Sequence, residues 1–195
     1  MSNDTRAAVS AEGLTASLAA LPQKGLPPVH LWNPPYCGDL DMRIARDGTW
    51  FHEGTPIGRA RMVRLFSTIL KREGDRYFLV TPVEKVGITV DDTPFLAIDV
   101  TRTGTGRDQT LTFLTKTEDE VLAGPDHAIR VTIDPQTGEP SPYLHVRGGM
   151  EARIDRKTFY RLVDLGTQEE VDGTPWFGVW SAGAFFPMIP SADLP

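Results

Sequence analysis

Two ten-residue segments, IGRARMVRLF (57–66) and IDRKTFYRLV (154–163), constrain the fold of this chain more than any other feature of its sequence. They share four residues at the same spacing: Ile57/Ile154, Arg59/Arg156, Arg64/Arg161 and Leu65/Leu162. Internal similarity is typical of chains built from repeated units. The pair therefore predicts an internal duplication, and chance similarity between short segments is the alternative.

Two further matches follow the same order along the chain. The residues 46–48 (RDG) correspond to 147–149 (RGG), and VDDTPF (90–95) corresponds to VDGTPW (171–176). A glycine-containing triplet between two short extended runs is typical of a hairpin turn. Each unit is therefore predicted to contain a hairpin, a helix and strands, with residues 76–89 as an additional excursion in the first unit.

The helix of each unit is predicted from its first turn. With Gly58 and Asp155 as N-caps, an isoleucine precedes each cap and an apolar residue lies at the fourth helical position, which is the pattern of a hydrophobic staple. Apolar residues continue at helical spacing in both segments. Gly74 and Gly166 are the predicted helix stops.

The remaining segments complete a predicted α+β fold of two related units with mostly antiparallel sheets. Residues 7–21 have leucines at helical spacing (Leu14, Leu18 and Leu21), and 110–116 and 128–134 are predicted strands. The predicted domains are an N-terminal helix and linker (1–30), a first α+β unit (31–100), and a second α+β unit with connecting strands and a C-terminal tail (101–195).

Composition and charge exclude several classes of protein. The chain has 195 residues, a net charge of −6 and a pI near 5.2, which disfavours a nucleic-acid partner because phosphate binding needs clustered basic residues. A single cysteine permits no internal disulfide. The N-terminus lacks the basic start and apolar run of a signal peptide, and no apolar stretch is long enough to span a bilayer, so a cytoplasmic location is expected.

A resemblance to a known family agrees with this interpretation. The residues that carry it are Cys37-Gly38-Asp39, Met42, Ile44, Asp47-Gly48, Trp50, Gly54, Pro56-Ile57, Arg59, Leu65-Phe66 and Thr81-Pro82-Val83-Glu84-Lys85. Together they resemble an uncharacterised proteobacterial domain-of-unknown-function family. The resemblance implies a duplicated α+β protein with a pleckstrin-homology-like C-terminal half, a candidate cleft between the halves, and a role in signalling or ligand sensing.

Cys37 is the first candidate for chemistry. A reactive thiol needs a nearby cation, histidine or helix N-terminus, whereas the neighbours in sequence, Asp39 and Asp41, disfavour the thiolate. Only residues distant in sequence, such as His52 or Lys85, would offset that effect. A nucleophilic thiol and an unreactive, buried cysteine are the two alternatives.

Arg59 and Arg156 are each predicted at the first helical position, where the helix dipole disfavours a positive charge. Because both matching segments have an arginine at this position, the arginine is expected to have a specific role there. A structural ion pair is one interpretation, and a site that holds an anionic ligand is the other.

Four more residues are candidates for a binding site. Trp50 is a large aromatic residue that would line either a pocket or the core. Thr81, Glu84 and Lys85 follow a predicted strand in TPVEK (81–85), a position where loops often carry function. Surface charge without a function is the alternative for Glu84 and Lys85.

Motifs for several cofactor classes are missing from the sequence. GTGRDQ (104–109) lacks the third glycine of a dinucleotide fingerprint and leads into a predicted strand instead of a helix. The histidines form neither HxH nor HExxH, and one cysteine cannot form CxxC, so no metal and no cofactor are predicted.

The first hypothesis is non-enzymatic binding of a small, anionic ligand or a protein partner in a cleft between the two units. The residues expected to border that cleft are Cys37, Trp50, Arg59, Thr81, Glu84 and Lys85. One alternative is a thiol-dependent enzyme with Cys37 as nucleophile and His52 or Lys85 as activator. Another is a structural or assembly module that uses the apolar tail 185–195, and a homo-oligomer is among the partners left open.

Overall fold

The computed structural model describes residues 10–19 and 25–194, which divide into two compact units. The described residues up to Ala45, together with Thr49–Asp91, form unit 1. Arg46–Gly48 and the described residues from Asp92 onward form unit 2. Each unit has its own set of buried apolar side chains.

Unit 1 contains one six-stranded sheet. Its strands are β1 (Tyr36–Ile44), β2 (Trp50–His52), β3 (Thr55–Pro56), β4 (Leu70–Glu73), β5 (Arg76–Val80) and β6 (Lys85–Val90). Their order in the sheet is β3-β2-β1-β6-β5-β4. β1 and β6 pair in parallel, and every other neighbouring pair is antiparallel. The parallel pair therefore joins two three-stranded antiparallel segments.

Two α-helices belong to unit 1: α1 (Ala11–Ala19) and α2 (Ala60–Thr68), with a short 3-10 turn at Val29–Leu31. α1 buries Leu14 completely. α2 buries Phe66, whose ring stacks on Trp50 with centroids 6.4 Å apart. Aromatic packing therefore fixes the last turn of α2 on the sheet. Residues 7–9, 20 and 21 of the predicted helix 7–21, including Leu21, lie outside the described residues.

Unit 2 contains a second six-stranded sheet. Its strands are β7 (Phe95–Thr103), β8 (Thr110–Thr115), β9 (Glu120–Leu122), β10 (Ile129–Ile133), β11 (Pro140–Arg147) and β12 (Met150–Ile154). The order is β10-β11-β12-β7-β8-β9, with β7 and β12 parallel. The strand order thus matches that of unit 1, because a parallel first-to-sixth pair again joins two antiparallel triplets.

The C-terminal part of unit 2 adds α3 (Arg156–Val163) and a three-stranded antiparallel sheet. Its strands are β13 (Thr167–Val171), β14 (Thr174–Ser181) and β15 (Ala184–Pro190), and the remaining 3-10 turns are Gly106–Asp108 and Ser191–Asp193. Phe186 and Met188 of β15 are buried. The apolar tail therefore docks on its own chain as the third strand of this sheet.

The predicted α+β fold class is wrong. The structure is predominantly β: its described residues form fifteen strands and three short α-helices. Helices do begin near the two matching segments. Along the chain, however, α2 comes between the third and fourth strands of its unit, whereas α3 follows the sixth strand of the other sheet. A staple and an apolar stripe indicate only a local helix start and contain no information about the strands beside it.

Two details of the predicted helices also need correction. The N-cap of α2 is Arg59 and not Gly58, and α2 ends at Thr68, so Gly74 lies in the turn between β4 and β5 with φ +60°. In contrast, the N-cap of α3 is Asp155, as predicted, and its side chain accepts a hydrogen bond from the backbone N–H of Thr158 at 2.7 Å. The two helices therefore begin in chemically different ways.

Candidate functional site

A pocket of about 490 Å³ lies within unit 1 and is the candidate site. We call it the Arg59 pocket; its lining residues are Ala11, Thr15 and Ala16 of α1, His52 of β2, Ile57 and Arg59 before α2, and Met62 of α2. This volume is within the range of small-molecule sites. The pocket is built by residues of one unit.

Among the described residues, Arg59 is the one Lys, Arg, Asp or Glu that lines the pocket, and its position in the chain is unusual. It occupies the N-cap of α2 with extended dihedral angles (φ −90°, ψ 96°), and no side chain caps the helix there. Its carbonyl accepts the first helical hydrogen bonds, from Met62 at 2.9 Å and Val63 at 3.2 Å. The exposed guanidinium group makes no hydrogen bond or ion pair with the described residues. All its donors are therefore available to a ligand.

The walls of the pocket are mainly apolar. Ala11 and Ala16 contribute small side chains, and Ile57 and Met62 contribute larger ones. The backbone N–H of Ile57 donates to the carbonyl of Trp50 at 2.8 Å, which ties this wall to the core. Methionine adapts readily to irregular ligands because its side chain is flexible and polarizable. The pocket thus combines one cation with an adaptable apolar surface.

The predicted site residues Cys37, Thr81, Glu84 and Lys85 meet elsewhere in unit 1, where β1 and β6 begin side by side. The backbone N–H of Lys85 donates to the carbonyl of Pro35 at 3.1 Å. The buried hydroxyl of Thr81 accepts from the backbone N–H of Glu84 at 3.2 Å and closes the turn between β5 and β6. Arg59 lies outside this group. Its pocket includes His52, and His52 pairs with Met42, which lies six residues along β1 from Tyr36.

Lys85 is part of a charged network on the sheet. Its ammonium group donates to Glu73 at 2.7 Å and lies 4.9 Å from the centre of the Phe78 ring, and Lys71 contacts Glu73 at 3.2 Å. The hydrogen bond from Lys85 holds the pKa of Glu73 below its usual value. This arrangement orients Lys85 toward Glu73 and gives its charge a structural partner.

Cys37 is exposed, and its thiol donates to the carbonyl of Pro35 at 3.4 Å. Asp39 nearby forms an ion pair with Arg76 at 2.6 Å, and that guanidinium lies over the rings of Tyr36 and Phe78. No cationic side chain among the described residues bonds to the thiol. The role of Cys37 as a nucleophile stays a prediction.

Trp50 lies in the core, with 2% of its surface exposed, and its carbonyl accepts the backbone N–H of Ile57, a residue of the Arg59 pocket. The six predicted residues therefore divide into the β1–β6 group, the core residue Trp50 and the pocket residue Arg59. The cleft predicted between the two units stays a prediction. The approach of α1 to this pocket was not predicted from the sequence, and Ile57 and Met62 were predicted only as a helix staple.

The described residues contain neither a candidate metal cluster nor a helix that could span a membrane. Within residues 10–19 and 25–194, no three His, Cys, Asp or Glu side chains are placed to hold a metal ion. None of the helices in the described part of the chain has the length and apolar character needed to cross a bilayer.

Comparison with known structures identifies crystal structures of DUF1285 family proteins as similar to this chain. A crystal structure of a DUF1285 family protein from Silicibacter pomeroyi is 62% identical, with 93% of this chain and 97% of that chain covered and a TM-score of 0.83. A second, from Shewanella baltica, is 28% identical, with 64% and 91% covered and a TM-score of 0.51. No curated protein matches the sequence.

Family profiles cover almost the whole described chain. Residues 27–93 match the domain of unknown function DUF1285, N-terminal domain, and residues 94–188 match the protein of unknown function DUF1285, C-terminal domain. The two matches meet at the end of unit 1 and the start of unit 2. With the extensive identity to the Silicibacter protein, they show that this chain belongs to the DUF1285 family.

Proposed function

We propose that the protein binds a small amphipathic anion, an apolar molecule with a single carboxylate, in the Arg59 pocket of unit 1. Binding of this ligand, and not a chemical reaction, is the proposed role, and ligand sensing would follow from it. The proposal keeps the anionic ligand and the arginine expected from the sequence and places them within one unit.

One observation carries the proposal: an arginine without a partner among the described residues occupies the N-cap of α2 and lines a mainly apolar pocket. Asn, Asp, Ser or Thr at this position would stabilise the helix, typically by about 1 kcal/mol. A positive charge there is also unfavourable toward the helix dipole, by about 0.3–1 kcal/mol. Because Arg59 lowers the stability of the helix that it begins, we infer that it serves ligand binding and not folding.

The chemistry of the pocket selects the class of ligand. A guanidinium group binds a carboxylate through two parallel hydrogen bonds, and this geometry gives orientation as well as energy. The apolar walls formed by Ala11, Ala16, Ile57 and Met62 favour a hydrocarbon body. The imidazole of His52 also makes no hydrogen bond with the described residues and offers a second polar contact at the pocket.

Isothermal titration calorimetry with decanoate tests the proposal. Decanoate should bind the wild-type protein, and Arg59→Gln should weaken binding by roughly 10- to 100-fold, because a hydrogen bond to a charged group contributes about 1.5–3 kcal/mol. Decanol, which keeps the apolar chain and lacks the charge, should bind wild type about as weakly as decanoate binds the variant.

Arg61→Gln is the matched control, because Arg61 lies in the first turn of α2, is exposed, and does not line the pocket. This variant should bind decanoate with wild-type affinity. Equal affinities of Arg59→Gln and wild type, or equal losses in both variants, would contradict a specific role for Arg59.

A further inference from the structure

A second concave site lies in unit 2, where β11 begins, β12 ends and α3 starts. We call it the arginine groove; its volume is about 350 Å³. Arg153 of β12 and Arg156 of α3 line it, and so does Glu139, which immediately precedes β11. The other lining residues have flat or apolar side chains: Pro140, Pro142, Ile154, Phe159 and Tyr160. The groove is thus lined by two arginines and one glutamate.

Both arginines are anchored inside unit 2 through one nitrogen. Arg153 Nη1 donates to Asp92 Oδ2 at 3.1 Å, and Arg156 Nε donates to the Tyr160 hydroxyl at 2.8 Å. The hydrogen bond to Tyr160 raises the pKa of Arg156. The remaining guanidinium nitrogens make no hydrogen bond with the described residues. Each arginine therefore keeps one two-nitrogen edge, Nε and Nη2 for Arg153 and both Nη atoms for Arg156, for an oxyanion.

The other walls of the groove are flat. Pro140 and Pro142 contribute rigid rings, and Phe159 and Tyr160 contribute aromatic ones. Tyr160 is 54% exposed, which is unusual for a large ring whose hydroxyl is already bonded. The guanidinium group of Arg156 lies over the Tyr160 ring, 5.6 Å from its centre. This contact and the hydrogen bond to the hydroxyl fix the orientation of the Tyr160 ring. A planar ligand would find a preformed surface.

We propose that the arginine groove binds an aromatic ring that carries an oxyanion, an aryl phosphate or an aryl carboxylate. The oxyanion lies on Arg153 and Arg156, and the ring packs against Tyr160. This site is independent of the Arg59 pocket, because the two have no lining residue in common and belong to different units. Failure of one proposal leaves the other intact.

Titration of the full chain with phenyl phosphate, benzoate and inorganic phosphate tests the inference. The aryl anion that matches the site should bind at least about tenfold more tightly than inorganic phosphate, and the tighter of phenyl phosphate and benzoate identifies the oxyanion. Arg156→Gln should weaken that binding by about tenfold or more. Tyr160→Leu removes both the ring and the hydroxyl that anchors Arg156, so it should weaken binding of the aryl anion more than that of inorganic phosphate.

Lys157→Gln is the matched control, since Lys157 is the next exposed cation of α3 and does not line the groove. It should retain wild-type affinity for the aryl anion. Far-UV circular dichroism checks that Arg156→Gln keeps its fold. Unchanged affinity in folded Arg156→Gln, equal loss in Lys157→Gln, or binding of inorganic phosphate as tight as that of both aryl anions would overturn the proposal.

Discussion

The helices α2 and α3 differ in how their first turns are capped. Both helices begin beside a cavity lined by an arginine, Arg59 in unit 1 and Arg156 in unit 2. At α3, Asp155 takes the N-cap and bonds to Thr158, and the arginine follows one position later. At α2, the arginine itself takes the N-cap, and no side-chain cap forms.

This difference indicates what each arginine contributes. Arg156 is held by Tyr160, so it loses little conformational entropy when a ligand binds. Arg59 has no such anchor among the described residues and must be ordered by its ligand, which opposes binding by up to about 2 kcal/mol of side-chain entropy. The groove is therefore preorganised, whereas the Arg59 pocket depends on its apolar walls for most of its affinity.

The largest expected effect concerns the core beneath the Arg59 pocket. Trp50→Ala should lower the free energy of unfolding by about 3–5 kcal/mol, because it removes a buried ring stacked on Phe66 and leaves a cavity. Equilibrium urea unfolding followed by circular dichroism measures this loss. A loss below about 1 kcal/mol would show that the ring is not packed as described.

Asp155→Ala should have a smaller effect on the start of α3. Loss of the bond to the Thr158 amide should lower the free energy of unfolding by about 1 kcal/mol, within a range of about 0.5–2 kcal/mol. Asp164→Ala serves as a control at the other end of the same helix, where no side-chain cap is lost. Equal effects of the two substitutions in urea unfolding would count against a capping role.

Arg59→Asn sharpens the comparison most, although its effect on stability is small. Asparagine supplies the missing cap and removes an unfavourable charge, so the free energy of unfolding should rise by about 1 kcal/mol or less. The same variant should lose affinity for decanoate. A stability gain together with weaker binding is expected where a residue serves function at the expense of the fold. A less stable variant would mean that Arg59 has a structural partner.

Local features of this fold were predictable from the sequence, but its long-range pairing was not. The apolar spacing in 57–66 and 154–163 located both helices, and the strands at 110–116 and 128–134 were predicted close to where β8 and β10 lie. The fold class failed because the helical patterns were given as much weight as the short strands around them, which make up most of the structure. The structure pairs β1 with β6 and β7 with β12, contacts between segments distant in sequence that no local pattern encodes.

The candidate site shows the same division. Arg59 could be selected because a cation at a helix start is unfavourable, even though it lies at the N-cap and not at the first helical position. The approach of α1 to Ile57 and Met62 could not be selected, since small residues such as Ala11 and Ala16 carry no sequence signal for a pocket wall. Side chains identified by an unfavourable position were easier to predict than those identified only by packing.

Methionine methyl NMR would test the central claim most directly. Of the described methionines, Met62 lines the Arg59 pocket, whereas Met42, Met150 and Met188 are buried elsewhere. With the Met62 signal assigned through Met62→Leu, saturation with decanoate should shift that ¹³C-methyl resonance and leave the signals of Met150 and Met188 in place. Binding of decanoate that shifts Met150 or Met188 and leaves Met62 unchanged would contradict the proposed site.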